Sequence, residues 1–492
     1  MNLSKSLYTR GLQCSKSLWL KKYKPEVLSV ADTQAQAIFE TGDKVGALAC
    51  ELFPDGKVVP FKGTSFEEKI ALTQTWMDEG TRNIYEATFQ YDGILVMVDI
   101  LHIDDDGSVE IHEVKSSTEV KDAHMDDASI QYYVLEGLGY DVKKTSIIHI
   151  NNKYVRANNL ELDKLFTIAD ISSEVLQMQE DIPTYLKHFQ KQLESKDVEP
   201  NIDIGKHCSK PYECDAMAYC WKHIPEYSIF NISRLRSDKK FEMYRDDVID
   251  FSQIGDTSSF SLAQQIQIAS ELNQTDIINK EAIAEFVDGL SYPLYHLDFE
   301  TFQQAIPEWE DISPFMQIPF QYSIHAEFTD APMKHYEFLA LEGEDPRYEL
   351  AKNLVNDIPT NVTVLAYNMG FEKGVIRKLA AMFEEFSSQL IAIHDNIQDL
   401  MTPFQKKDYY VPSMKGSYSI KKVLPALVPT MAEAYKELEG VQNGGDAMQT
   451  YAKLAHMDDK AEVARLREAL LRYCELDTMA MVRVSEKLKE CV

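Results

Sequence analysis

Residues 295–302 read Tyr-His-Leu-Asp-Phe-Glu-Thr-Phe. Asp298 and Glu300 stand two apart in an apolar, aromatic run. In a strand, side chains two apart share one face. The run therefore predicts a mostly buried strand that carries two carboxylates side by side. Two buried like charges repel each other and lose their hydration, and a divalent cation between them removes that cost. Taken alone, the octapeptide also suits an edge strand with two solvated acids.

Two later segments favour the metal. Val364–Phe371 reads Val-Leu-Ala-Tyr-Asn-Met-Gly-Phe, an apolar run that breaks at Asn368 and Gly370 and is followed by Glu372. Near the C-terminus, Tyr473-Cys-Glu-Leu-Asp477 lies in a helical pattern. Tyr473 and Asp477, four apart, then stack on one helix face. Asp298, Glu300, Glu372, Asp477 and Tyr473 are thus candidates to converge on one pair of metal ions. Asp298-Phe-Glu300-Thr301, Asn368-x-x-Phe371-Glu372 and Tyr473-x-x-x-Asp477 together resemble the DEDDy branch of the DnaQ-like 3′–5′ exonucleases. Ser417-Tyr-Ser-Ile-Lys421 is similar to the Ser-Leu-Lys segment that precedes the family's last motif. The resemblance implies an RNase H-like fold. It also implies catalytic Mg²⁺ or Mn²⁺ held by Asp298, Glu300 and Asp477, with Glu372 completing the set and Tyr473 positioning the attacking water. One departure is Glu372, where the family usually carries Asp.

With 492 residues the chain is too long for one hydrophobic core, so two or three domains are expected. Hydrophobic residues make up 45% and charged residues 26%, ordinary for a soluble globular protein. No apolar run is long enough to cross a bilayer. Met1–Lys24 lacks the apolar core and cleavage site of a signal peptide, so the expectation is a cytoplasmic protein with no membrane partner. A formal net charge of −29 argues against general coating of nucleic acid. It does not exclude a nuclease, which gathers acids around metals and keeps local basic patches. Lys5, Arg10, Lys16, Lys21, Lys22 and Lys24 form one such patch, equally readable as a solvated helix face.

Leu3–Tyr23 reads as one helix with Ser4 as N-cap and Cys14 inside it. Helices follow over Ala31–Leu52 and Ser65–Asn83. Gly93–Ile103 and Ser108–Ser117 read as strands around the Asp104-Asp-Asp-Gly107 turn. Asp99 lies in the first strand, and Glu113 and Lys115 share a face of the second. Asp126–Leu138 reads as a helix bearing Gln131, Tyr132 and Tyr133, and Lys144–Ile150 as a strand. An Asp/Glu pair can hold a divalent metal at a phosphate, with Lys orienting the water and offsetting charge in the transition state. A plain hairpin with a Glu/Lys face fits the same residues.

Cys208, Cys214 and Cys220 are evenly spaced, five residues between each pair, in a Pro-containing loop. Three thiols closing in one loop point to a shared metal. Zinc favours shorter spacing, so an iron–sulfur cluster fits better. Cys14 is the attractive fourth ligand and His207 the fallback. With seven cysteines in all, the odd count does not suggest a disulfide framework.

Cys14, Asp99, Glu113-Val-Lys115, Gln131 with Tyr132 and Tyr133, and the late cysteine trio resemble the RecB-like PD-(D/E)XK nucleases that carry a four-cysteine [4Fe–4S] cluster. The nucleases of CRISPR adaptation are similar in pattern. The resemblance covers roughly Met1–Tyr227. It implies a restriction-endonuclease-like fold, catalytic roles for Asp99, Glu113, Lys115 and Gln131, and metal ligation by Asp99 and Glu113. The family's early helix usually has a Gly followed four residues later by a ligating His. Here that segment is Gly42-Asp-Lys-Val-Gly46, which leaves Glu40 and Glu51 as stand-ins.

The expected layout is a RecB-like module over 1–228, a polar helical connector over 229–289 and a DnaQ-like module over 290–492. In the last, strands are expected at Pro293–Phe299, Phe320–Phe328, His335–Leu341 and Val362–Tyr367. Helices are expected at Glu372–Phe386, Tyr418–Leu424 and Asp459–Lys489. The implied activity is metal-dependent hydrolysis of nucleic acid, with single-stranded DNA as first choice of substrate and RNA as second. A decayed binding scaffold or an iron–sulfur sensor is the alternative. Gly-rich dinucleotide and Walker loops are missing.

Overall fold

The computed structural model describes residues 3–30 and 32–492. Met1 and Asn2, in the basic stretch, and Ala31, at the expected start of the second helix, lie outside them. The chain is a mixed α/β protein of two compact units. Unit 1 is 1–223 with 304–316, and unit 2 is 224–303 with 317–492. The connector expected over 229–289 thus clusters with the C-terminal unit.

Unit 1 is built on a seven-stranded sheet of β1 (Leu3–Ser4), β2 (Lys57–Val58), β3 (Asn83–Tyr91), β4 (Ile94–Ile103), β5 (Val109–Lys115), β6 (Val142–Ile150) and β7 (Phe166–Asp170). The spatial order is β2-β3-β4-β5-β6-β7, with β1 added parallel to β4. Core residues cover both faces. Ile84, Val96 and Ile111 pack with Ile130 and Val134 of helix Asp122–Gly137, while Ile100, Ile148 and Ile150 pack with Val45 and Ala49. A sheet buried on both faces reads as near-continuous apolar runs, as β4 does.

Two expectations in this unit need correction. The N-terminal helix is two, Lys5–Gln13 and Ser15–Tyr23, because Cys14 is extended at φ −163° and ψ 113°. Ser4 does cap the first, accepting from the Leu7 amide at 3.3 Å. The helix expected to reach Asn83 spans only Phe66–Asp78, and Asn83 already opens β3. That strand escapes a period-two reading because Glu86, at φ 58°, has no partner in a register that runs from Tyr85↔Ile100 to Ala87↔Val98.

Unit 2 carries a five-stranded sheet ordered β11-β10-β9-β12-β13. Its members are β9 (Leu294–Phe302), β10 (Ile318–Glu327), β11 (Lys334–Leu339), β12 (Thr363–Ala366) and β13 (Ile397–Asp399), the last not expected from the sequence. β9, β10 and β11 form an antiparallel meander, and β12 and β13 add parallel to β9. A small pair of β8 (Ile277–Ile278) and β14 (Tyr409–Tyr410) stands apart. The C-terminal helix, Lys460–Lys489, lies on this sheet, and Gln321 Nε2 donates to its Leu470 carbonyl at 2.8 Å. The single helix expected over Glu372–Phe386 is two, Gly370–Met382 and Glu384–Asp395, broken at extended Phe383. The connector is more than a spacer, since Ile229, Ile232, Phe251 and Ile268 form a core of its own.

Candidate functional site

The acids of unit 2 are brought together by three elements. Alternation along β9 turns Asp298 and Glu300 to the same face, where the C-terminal helix delivers Asp477. Carboxylate oxygens of all three lie within 4.8 Å of one another. Oxygens on one six-coordinate cation at about 2.1 Å are about 3.0 Å apart when adjacent and about 4.2 Å when opposite. The observed spread therefore suits a single Mg²⁺ or Mn²⁺ with small side-chain adjustments.

Glu372 arrives by a different route. Asn368 takes the left-handed conformation, φ 76°, and its amide donates to Asp399 Oδ1 at 2.9 Å. This turn launches helix Gly370–Met382, and Glu372 falls in its first turn. The side chain is buried, and Oε2 has no hydrogen-bond partner among the described residues. Asp298 feels its charge, yet Glu372 stands outside the 4.8 Å group. Asp399 serves the turn that positions it.

The electrostatics are those of buried acids crowded together. Burial, then Asp477, Glu300 and Glu372, hold Asp298 well above the ordinary carboxylate range. Burial, then Asp477, push Glu300 up to about 8, and burial, then Asp399, push Glu372 up to about 8. Asp477 is also raised by burial, with Tyr435, Tyr473 and Lys421 working against the shift. Burial, then Asp477, raise the Tyr473 hydroxyl, so it stays protonated and acts as a hydrogen-bond donor.

Tyr435 was not visible as a site residue in the sequence. Its Oη donates to Asp477 Oδ1 at 2.6 Å. Lys421, from the Ser417–Lys421 segment, places Nζ 5.5 Å from the Tyr435 ring centroid and 5.6 Å from that of Tyr473. It is the cation that offsets Glu300 and Asp477. Only the pairing of Lys421 with the last motif hinted at it. Tyr435 lies in a polar stretch with no periodic signal.

Unit 1 gathers its own set. Lys115 Nζ lies 2.6 Å from Glu113 Oε1 and 2.5 Å from Asp127 Oδ2. Gln131 Nε2 donates to Glu113 Oε2 at 2.7 Å, and the Val114 amide to Asp99 Oδ2 at 2.7 Å. Lys5 Nζ adds a second ammonium, 2.8 Å from Glu113 Oε1. Burial opposes ionisation of Glu113, but Lys115 and Lys5 hold it well below the usual range. Burial and Glu113 push Asp99 up to about 7.

Other members of the expected set are placed elsewhere. Tyr133 bonds Asp92 at 3.0 Å, and Tyr132 packs in the core, because only one face of their helix meets the acids. Glu40 and Glu51 are exposed. Much of the basic patch is spent internally: Arg10 bridges Asp215 at 2.8 Å and Lys16 bridges Glu199 at 2.9 Å. Lys5, Arg10, Lys115, His124 and Lys210 nonetheless line one open cleft of about 790 Å³. Glu86, overlooked in the sequence, sits within electrostatic reach of Lys5 and Glu113.

Cys14, Cys208, Cys214 and Cys220 line one small cavity, together with His207. The break between the first two helices is what frees Cys14 to reach it. Burial, and after it the neighbouring thiols, raise Cys14, while the amides of Lys16 and Ser17 favour its thiolate. Thiolates on a single tetrahedral zinc lie about 3.8 Å apart, from Zn–S bonds of about 2.3 Å. Among the described residues, no metal-ligating group within 4.8 Å contains a cysteine.

No helix among the described residues is long and apolar enough to cross a membrane. A domain of unknown function, DUF2779, matches residues 295–419, which include Asp298, Glu300 and Glu372 and stop short of Asp477. The chain is 24% identical over 230 residues to the uncharacterized protein UU173 of Ureaplasma parvum, covering 43% of this chain and 33% of that protein. It is 26% identical over 215 residues to the uncharacterized MG366 homolog of Mycoplasma pneumoniae, covering 40% of this chain and 32% of that protein. The chain thus spans about a third of the length of these curated relatives.

Proposed function

We propose that this protein is a metal-dependent nuclease, with a DnaQ-like 3′–5′ exonuclease in unit 2 and a RecB-like, iron–sulfur-bearing module in unit 1. The observation that carries the reading is the convergence of Asp298, Glu300 and Asp477 within 4.8 Å, beside a buried Glu372 whose Oε2 has no hydrogen-bond partner among the described residues. The donor set is all oxygen, which suits Mg²⁺ and Mn²⁺. The antiparallel meander followed by parallel strands supports an RNase H-like reading of the sheet.

Bound Mg²⁺ or Mn²⁺ activates water and neutralises charge on the scissile phosphate. The chain's residues supply the rest. Asp298, Glu300 and Asp477 would hold the catalytic metals, with Glu372 completing the set. Tyr473, protonated and hydrogen-bonded to Asp477, would position the attacking water. Tyr435 fixes Asp477, and Lys421 lies where it balances the phosphate charge.

For unit 1 the donor set of four cysteines around one cavity fits a [4Fe–4S] cluster. Both oxygens of Glu113 already face Lys5, Lys115 and Gln131. That favours a module that grips nucleic acid over one that cuts it. The test is cleavage of end-labelled single-stranded DNA and RNA with Mg²⁺ or Mn²⁺, beside Asp298→Ala and Lys115→Ala. Loss of all activity in Asp298→Ala, with most retained in Lys115→Ala, is expected. Full activity in Asp298→Ala removes the site.

A further inference from the structure

The sheet face that bears Asp298 carries a second group of ligating side chains. His325 on β10, His335 on β11 and Glu475 on the C-terminal helix each offer a ligand atom within 4.8 Å of the other two. The register explains the first pair, because His325 and His335 are direct partners across β10 and β11. Their rings stack at 4.6 Å with 24° between planes.

Each imidazole is oriented through one nitrogen. His325 Nδ1 meets Thr478 Oγ1 at 2.8 Å, and His335 Nε2 meets Ser323 Oγ at 2.9 Å. Ser323 and Thr478 also bond each other at 2.7 Å. Nε2 of His325 and Nδ1 of His335 are the nitrogens these bonds leave over. Metal-binding histidines are held in this way, by a partner on the nitrogen that does not ligate. His325 is 2% exposed.

We infer that His325, His335 and Glu475 form a separate site for a borderline transition-metal ion of the Zn²⁺ class, with the fourth position open to water. Two imidazoles and one carboxylate match Zn²⁺ and Co²⁺ and are poor ligands for Mg²⁺. Ligands at about 2.0–2.2 Å around a tetrahedral ion lie about 3.3–3.6 Å apart, a closure that the solvent-facing arm of Glu475 can make. The site joins β10 and β11 to the C-terminal helix. Glu475 is two residues before Asp477, so an ion here pins the helix segment that presents Asp477 to β9. The inference does not rest on the nuclease reading.

The test is titration of the purified full chain, cluster intact, with Co²⁺ followed by visible absorption and metal counting. The arms are wild type, His335→Ala, Glu475→Gln and Asp298→Asn. His335 is on an edge strand and Glu475 is exposed, so neither change strips a core. The expected result, in difference spectra against the cluster's own absorption, is the d–d bands of one Co²⁺ with nitrogen and oxygen ligation in wild type and in Asp298→Asn, apart from any ion the acids of β9 take up. The Co²⁺ that gives those bands is lost, or its affinity falls by at least about 10–100-fold, in the other two. Equal stoichiometry and spectra in wild type, His335→Ala and Glu475→Gln overturn the site. So does loss of the bands in Asp298→Asn alone.

Discussion

Tyr435 Oη donates to Asp477 Oδ1 at 2.6 Å, so a tyrosine outside the acidic motifs holds one of their carboxylates in place. Outer partners of this kind typically matter 10–100-fold to metal affinity or activity. Tyr435→Phe, which keeps the ring against Tyr473 and removes the donor, is expected to lower kcat/KM by about that factor. Raising the Mn²⁺ concentration should restore part of it. A Tyr435→Phe enzyme with wild-type Mn²⁺ dependence would show that Asp477 is positioned by other means.

The acids also set a pH dependence. Glu300 and Glu372, with ordinary values of 4.5, are both pushed up to about 8 by burial and neighbouring carboxylates. Between those values the metal-free native protein holds more protons than the unfolded chain. Its stability from these groups is full below about pH 4.5 and is lost as pH rises toward 8. Thermal midpoints without metal should therefore fall across this window. Saturating Mn²⁺ should flatten the fall, with protons released on binding. Asp298→Asn, which removes one repelling charge, should raise the metal-free midpoint at pH 8 by a few degrees, at roughly 2–4 °C per kcal/mol. Midpoints that do not change with pH or with Mn²⁺ would contradict the crowding of these acids.

Lys5 acts as an internal counter-ion for Glu113 and Asp127, at 2.8 and 3.4 Å. Lys5→Met leaves Glu113 with Lys115 and Gln131 only. The expected loss is about 1–3 kcal/mol, since part of a buried charge goes unpaired. Urea unfolding of the variant measures it. A loss confined to a few tenths of a kcal/mol would mean that Lys5 is solvated in solution.

The cysteine site predicts colour. The purified protein should be brown, with a broad visible band that bleaches in Cys14→Ser as iron content falls. Colourless protein carrying one tightly held zinc would replace the iron–sulfur assignment.

Much of this was legible in local pattern. The Asp298/Glu300 spacing places both acids on one face of a buried strand, as found, and the four-residue step from Tyr473 to Asp477 puts both beside it. The cysteine trio and Cys14 meet around one cavity. What was hidden depends on tertiary context. Cys14 breaks a helix that its own neighbours favour, and the left-handed Glu86 interrupts the alternation that would have announced β3. Tyr435 and the His325/His335 pair acquire partners only when β10, β11 and the C-terminal helix assemble. Lys5 gave a basic stretch its charge, but the sequence could not say that acids of the same unit would absorb it.

The segment 304–316 interrupts unit 2 immediately after β9 yet belongs to unit 1. There Ala305 joins the core of Tyr85, Ile100 and Ile148, and the Arg156 amide donates to the Ile312 carbonyl at 3.1 Å. Neither half is consequently a single run of polypeptide. A cut of the chain between the two modules would leave the first without part of its interior.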